Sequence, residues 1–235
     1  MLKFVALILM LIDHLGYSLF PNLLILRVIG RLSFPIFAYS LTEGYIYTKN
    51  RDKYFKRLLI FALISMIPYA FLFDGFTKFS TTIYVLSHTP IIMFIGHLDI
   101  GFTLSLGFIS LMIIDRIKAN RRNIFNYIGI ILVLAIAKVI GVDYGIYGVL
   151  SIMIFYIFRG NKPLLILSFL LLPATMINPQ HMSFDPIYQC FAVLSIPIIL
   201  GLKDKELSKN IKVPRWFFYV FYPLHITILW IIRCL

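Results

Sequence analysis

Nine runs of apolar residues follow one another with scarcely a break: 3–20, 30–48, 58–75, 99–115, 124–141, 144–159, 163–179, 186–202 and 216–233. A helix needs about 20 apolar residues to cross a ~30 Å hydrocarbon layer, and each run approaches that length. The composition agrees. Of the 235 residues 60% are hydrophobic and only 14% charged, against roughly 45–50% apolar and about 25% charged in soluble domains. A soluble enzyme, a disordered tail and a secreted disulfide scaffold are excluded on these grounds. The expected fold is an all-α, polytopic transmembrane helix bundle of about nine spans (8–10). Residues 1–235 form one domain, since the longest polar loop is too short to fold separately. The first run resembles a signal peptide after Lys3, but it holds Asp13 and His14 and no small-residue cleavage site follows, so it is expected to remain as a helix.

The formal charge of +12 is a topology signal. Lys3, the segment Lys49–Arg57, the segment Arg116–Arg122, the pair Arg159 and Lys162, and the segment Lys203–Arg215 hold 17 of the 22 basic residues. Nine spans put all five on one side, and the positive-inside rule makes that side cytoplasmic, with a cytoplasmic N-terminus and an external C-terminus. Nucleic acid is not an expected partner. Membrane lipids are, because the loop Lys49–Arg57 mixes cations with the aromatics Tyr54 and Phe55, a strip suited to anionic headgroups or to the phosphates of a nucleotide-bearing cofactor. Residues 81–97 are apolar but would spoil the charge alternation if they crossed, so they are expected to form an external interfacial or re-entrant segment. Cys190 and Cys234 lie far apart in apolar runs and read as packing residues.

Ionisable groups at membrane depth cost about 2.5–3.5 kcal/mol on insertion scales, so each one requires a reason. At 1.5 Å per residue, His14 lies roughly 16 Å beyond Lys3 and His225 roughly 15 Å beyond Arg215, placing two histidines from opposite ends of the chain at one level. Imidazole titrates near neutral pH and serves as base or nucleophile, or simply as a buried hydrogen-bonding group. His88, His97 and His181 fall in or beside external segments. Asp13 points about 100° away from His14 and is expected to pair with an arginine of another helix; Arg27 and Arg31 are the candidates for meeting Asp13, Asp99 or Asp143. Glu43, roughly 9 Å inside the basic surface, either orients His14 or forms an interhelical salt bridge. Lys138 snorkels. Gly30, Pro35 and Gly44 are expected to interrupt the second run and open it to a cavity. No metal-ligand spacing is present.

Four pieces in order along the chain, IDHxG at 12–16, GRxxFPIFAYxxxEG at 30–44, DYGxYG at 143–148 and FYPLH at 221–225, resemble the TraX family of integral-membrane acetyltransferases, itself similar to the wider group of acyl-CoA-dependent membrane acyltransferases. The resemblance implies acetyl transfer from cytosolic acetyl-CoA, with no metal, to an exported acceptor: a protein N-terminus such as a pilin's, a polysaccharide or a lipid-linked sugar, in the cytoplasmic membrane. In related acyltransferases a basic residue, ten intervening residues and a catalytic His open the first helix; Lys3 and His14 stand at that spacing. The expected catalytic set is His14, Asp13, Glu43 and His225, with Lys3, Arg31, Lys53 and Arg57 holding the donor. Arg31 and His225 are also candidates for steadying the oxyanion or the acceptor. The competing reading is a carrier or permease for a small anionic solute, using the same buried charges as its binding site.

Overall fold

The computed structural model describes residues 1–73, 98–176, 185–203 and 214–235. All regular structure among them is helical: α1 (Leu2–Ser18), α2 (Leu24–Gly30), α3 (Ser33–Tyr47), α4 (Arg51–Phe73), α5 (Ile100–Ala119), α6 (Ile124–Val139), α7 (Gly145–Ile157), α8 (Lys162–Leu171), α9 (Asp185–Cys190), α10 (Ser195–Lys203) and α11 (Arg215–Cys234), with 3-10 turns at Leu172–Met176 and Phe191–Leu194. Within their described residues each of the nine apolar runs is largely helical. Four stretches, Leu24–Tyr47, Arg51–Phe73, Ile100–Ala119 and Trp216–Cys234, are long and apolar enough to cross a membrane, and the remaining apolar helices are shorter. The segment 81–97 and His88, His97 and His181 lie outside the described residues.

Side-chain contacts show which helix ends meet. Arg51 at the start of α4 pairs with Asp115 near the end of α5 at 2.9 Å; Arg159 after α7 pairs with Glu43 near the end of α3, also at 2.9 Å; the Lys3 ammonium lies 5.8 Å from the Phe218 ring of α11. These join the basic ends. At the other end the Tyr17 hydroxyl donates to the Phe73 carbonyl, Arg233 donates to the Leu72 carbonyl, and the Asp143 N–H donates to the Leu98 carbonyl. For the helices these contacts join, the basic ends meet at one end of the bundle, as the charges imply.

A lipid-embedded helix must satisfy its polar groups internally. Ser18, Thr42, Ser105, Ser110, Ser151 and Thr227 each donate their hydroxyl to the carbonyl four residues earlier, which hides a polar group without a partner helix. Asn50, Asp99, Asn123 and Asn161 accept from N–H groups in the first turns of α4, α5, α6 and α8, as N-caps do. The second apolar run is broken after Gly30, between α2 and α3, but α3 continues through Pro35 and Gly44, which do not interrupt it. Gly30 marks a close approach: a Cβ there would fall on the Asp13 side chain, 2.6 Å from its Cγ. Only glycine lets α1 and α2 come this near.

Candidate active site

His14 is three turns into α1, and His225 is midway along α11, which packs beside it. Nδ1 of His14 lies 2.8 Å from Nε2 of His225. The ring planes are within 6° and their centroids 5.0 Å apart. That separation equals the contact plus the two ring radii, so the imidazoles meet edge to edge along the lone-pair direction rather than face to face. His225 Nδ1 lies 2.7 Å from the Phe221 carbonyl oxygen of its own helix. Phe73 and Tyr222 pack against His14 with their rings tilted steeply to its plane, at 72° and 61°. Both histidines are buried.

His14 forms part of the wall of a cavity of about 250 Å³. Its other walls carry Asp13, Arg27, Arg31, Asp143 and the phenols of Tyr17, Tyr69, Tyr144 and Tyr222. The Arg27 guanidinium donates to the Asp13 carboxylate at 2.8 Å. Arg31 and Asp143 share the same cavity. The short 141–145 loop is wound to face it: Gly141, Tyr144 and Gly145 have φ of 69°, 61° and 46°, and a tyrosine in the left-handed region is held against a steric cost. What holds it is the Asp143 N–H bond to Leu98, the Thr103 hydroxyl bond to the Asp143 carbonyl, and the Tyr144 ring stacked on Phe34 at 4.2 Å.

Burial pushes the Asp143 carboxyl up to about 6, while the Arg31 guanidinium pulls it down. The folded state therefore binds more protons than the unfolded chain between about pH 4 and 6. The stability this supplies is complete below the unfolded value and lost as pH rises through the folded one. Asp143→Asn does not titrate and is expected to flatten that part of the curve, read by thermal unfolding in detergent from about pH 4 to 7. A slope equal to wild type would assign the titration to another group.

A small apolar slot of about 40 Å³ approaches the cavity from the basic end, lined by Leu7, Phe37, Phe61, Leu104 and Phe218. Met10, Ile100 and Tyr222 wall both spaces. Lys3, over the Phe218 ring, stands at the slot's basic end. The structure therefore brings His14, His225, Asp13 and Arg31 together. It does not bring Glu43, whose carboxylate is held by Arg159 at the end of the bundle and faces neither histidine. Lys53 and Arg57 are exposed on the first turns of α4, Arg57 lying 5.8 Å from the Tyr54 ring, on the basic face and away from the cavity.

The family model described as "TraX protein" matches residues 1–233. The chain belongs to the TraX family. It is 25% identical over 245 residues, covering 97% of this chain and 92% of the relative, to the probable fimbrial assembly protein FimC, serogroup H1, of Dichelobacter nodosus. A shorter stretch of 76 residues, 32% of this chain and 29% of the relative, is 40% identical to an uncharacterized protein of Rickettsia prowazekii (strain Madrid E). No solved structure matches. Sequence reasoning on this TraX chain missed Tyr17 and Tyr222 as cavity residues. Helical spacing was the available signal, since Tyr17 is three residues after His14 and Tyr222 three before His225, each on its histidine's face.

Proposed function

We propose that this TraX-family chain resides in the cytoplasmic membrane and transfers an acetyl group from acetyl-CoA, arriving at the basic face, to an amine or hydroxyl acceptor entering the polar cavity from the opposite face. The observation that carries the reading is the position of His14: it lines the polar cavity together with Met10, Ile100 and Tyr222, the residues that also wall the apolar slot on the side of the basic end. The donor's anionic portion suits the cations of the basic face, Lys3, Lys53 and Arg57 among them, and its acyl end suits the apolar slot. His14 Nε2 takes the proton from the acceptor N–H or O–H as that atom attacks the thioester carbonyl. The C–S bond breaks, the acetyl group stays on the acceptor, and His14 returns the proton to the departing thiolate, regenerating the base. Arg31, in the same cavity, is suited to the charge that develops on the carbonyl oxygen.

The relative named a fimbrial assembly protein favours an exported protein N-terminus as acceptor, while an envelope polysaccharide or lipid-linked sugar offers the same nucleophile chemistry. Mass spectrometry of envelope fractions from cells with and without the protein tests the reading. One envelope species is expected to lose a single acetyl group when the protein is absent and regain it when the wild type is restored. Unchanged acetylation, together with solute uptake into proteoliposomes that needs no acetyl-CoA, would replace this reading with a carrier.

A further inference from the structure

The contacts of the two histidines decide more than their proximity. A carbonyl oxygen only accepts, so the 2.7 Å contact to Phe221 O means that His225 Nδ1 carries a hydrogen and donates it. In a neutral imidazole the second nitrogen is then the acceptor. His225 Nε2, 2.8 Å from His14 Nδ1, therefore receives a hydrogen from His14 Nδ1. The same rule applied once more leaves His14 Nε2 with the lone pair. His14 lines the cavity and His225 does not, and with Nδ1 engaged by His225, Nε2 is the nitrogen of His14 left for an acceptor.

We propose that His225 is a positioning residue that acts through His14: anchored on the Phe221 carbonyl, it holds His14 in the Nδ1–H tautomer with the Nε2 lone pair turned to the acceptor. This rests on the reading of His14 as the base. In the opposite tautomer an N–H would face the acceptor, and the lone pair would be spent against α11. The anchor is a main-chain carbonyl within a helix, which neither titrates nor rotates, so the orientation does not depend on the protonation of a third side chain. A neutral partner also leaves His14 uncharged until the acceptor's proton arrives, whereas a carboxylate in the same place would favour the imidazolium beforehand. The edge-to-edge, near-coplanar rings put the hydrogen bond on the axis where it fixes ring rotation as well as tautomer.

Three substitutions separate this role from packing. His225→Gln places a side-chain oxygen near where Nε2 stands and still accepts from His14. His225→Asn is one methylene short of that position, and His225→Leu fills the space without an acceptor. Purified full-length protein with acetyl-CoA and envelope acceptor is expected to keep kcat within about tenfold for Gln, and to lose about 10²-fold or more for Asn and Leu, with KM for acetyl-CoA within about twofold throughout. Nitrogen-15 spectra of ring-labelled histidines, with His14 assigned by its disappearance in His14→Gln, read the tautomer without any turnover. Wild type is expected to show His14 protonated at Nδ1 and bare at Nε2. A proton on Nε2 in wild type, or equal activity in the Gln and Leu variants, would overturn the proposal. If His14→Ala abolishes transfer and His225→Leu does not, this inference alone fails; if His14→Ala transfers acetyl normally, the functional reading beneath it fails.

Discussion

Alanine in place of His14 is expected to lower acetyl transfer by about 10²- to 10⁴-fold, the usual contribution of a positioned general base. The loss should appear in kcat and in kcat/KM equally, because the proton transfer occurs only in the transition state, and KM for acetyl-CoA should stay near wild type. The donor's polar portion is assigned to the basic face, several turns of α1 from the substituted side chain. The bundle should survive the change. His225 keeps its bond to the Phe221 carbonyl, and its freed Nε2 opens toward a polar cavity of about 250 Å³ with room for a replacing water. Substituted protein that remains folded, binds acetyl-CoA and transfers acetyl at the wild-type rate would remove His14 from the chemistry.

The largest expected effect on stability is at Asp13 and Arg27. Their charges are 2.8 Å apart, with side chains only 11% and 20% exposed. Breaking a largely buried charge pair by removing one member costs about 3–5 kcal/mol, whereas replacing both with apolar side chains is near neutral. Asp13→Leu and Arg27→Leu should each lower the unfolding temperature by about 6–20 °C for a chain of this size. The double variant should recover most of that loss. Additive losses in the double variant would mean that the two groups stabilise the protein through separate partners.

This pair also shows how far the residues alone reach. That Asp13 should seek an arginine followed from its depth and from the angle separating it from His14. That Arg27 would reach it did not, because this depends on the rotation of α2 about its axis and on the break at Arg31 and Leu32. The shared level of His14 and His225 was countable along two helices from their basic ends. Their contact was not, because α1 and α11 are neighbours only through tertiary packing. Among the described residues the nine apolar runs are largely helical, yet several of these helices fall short of a full crossing length; hydropathy measures where apolar residues continue, and a 3-10 turn or a capped end interrupts the helix within such a run. Glu43 had two readings at equal weight, and Arg159, more than a hundred positions away, decided the partner. The left-handed backbone at Tyr144 carries no mark of its own beyond the flanking Gly145, since the straps that impose it come from Leu98 and Thr103.

The most direct measurement uses sealed, inverted membrane vesicles from cells producing the chain, with labelled acetyl-CoA supplied only at the exposed, formerly cytoplasmic face. The expected result is label on an acceptor in the vesicle interior, protected from enzymes added outside, dependent on this protein and lost with His14→Ala. Label confined to molecules accessible from outside, or interior labelling that is the same with and without the protein, would contradict a transfer across the bundle.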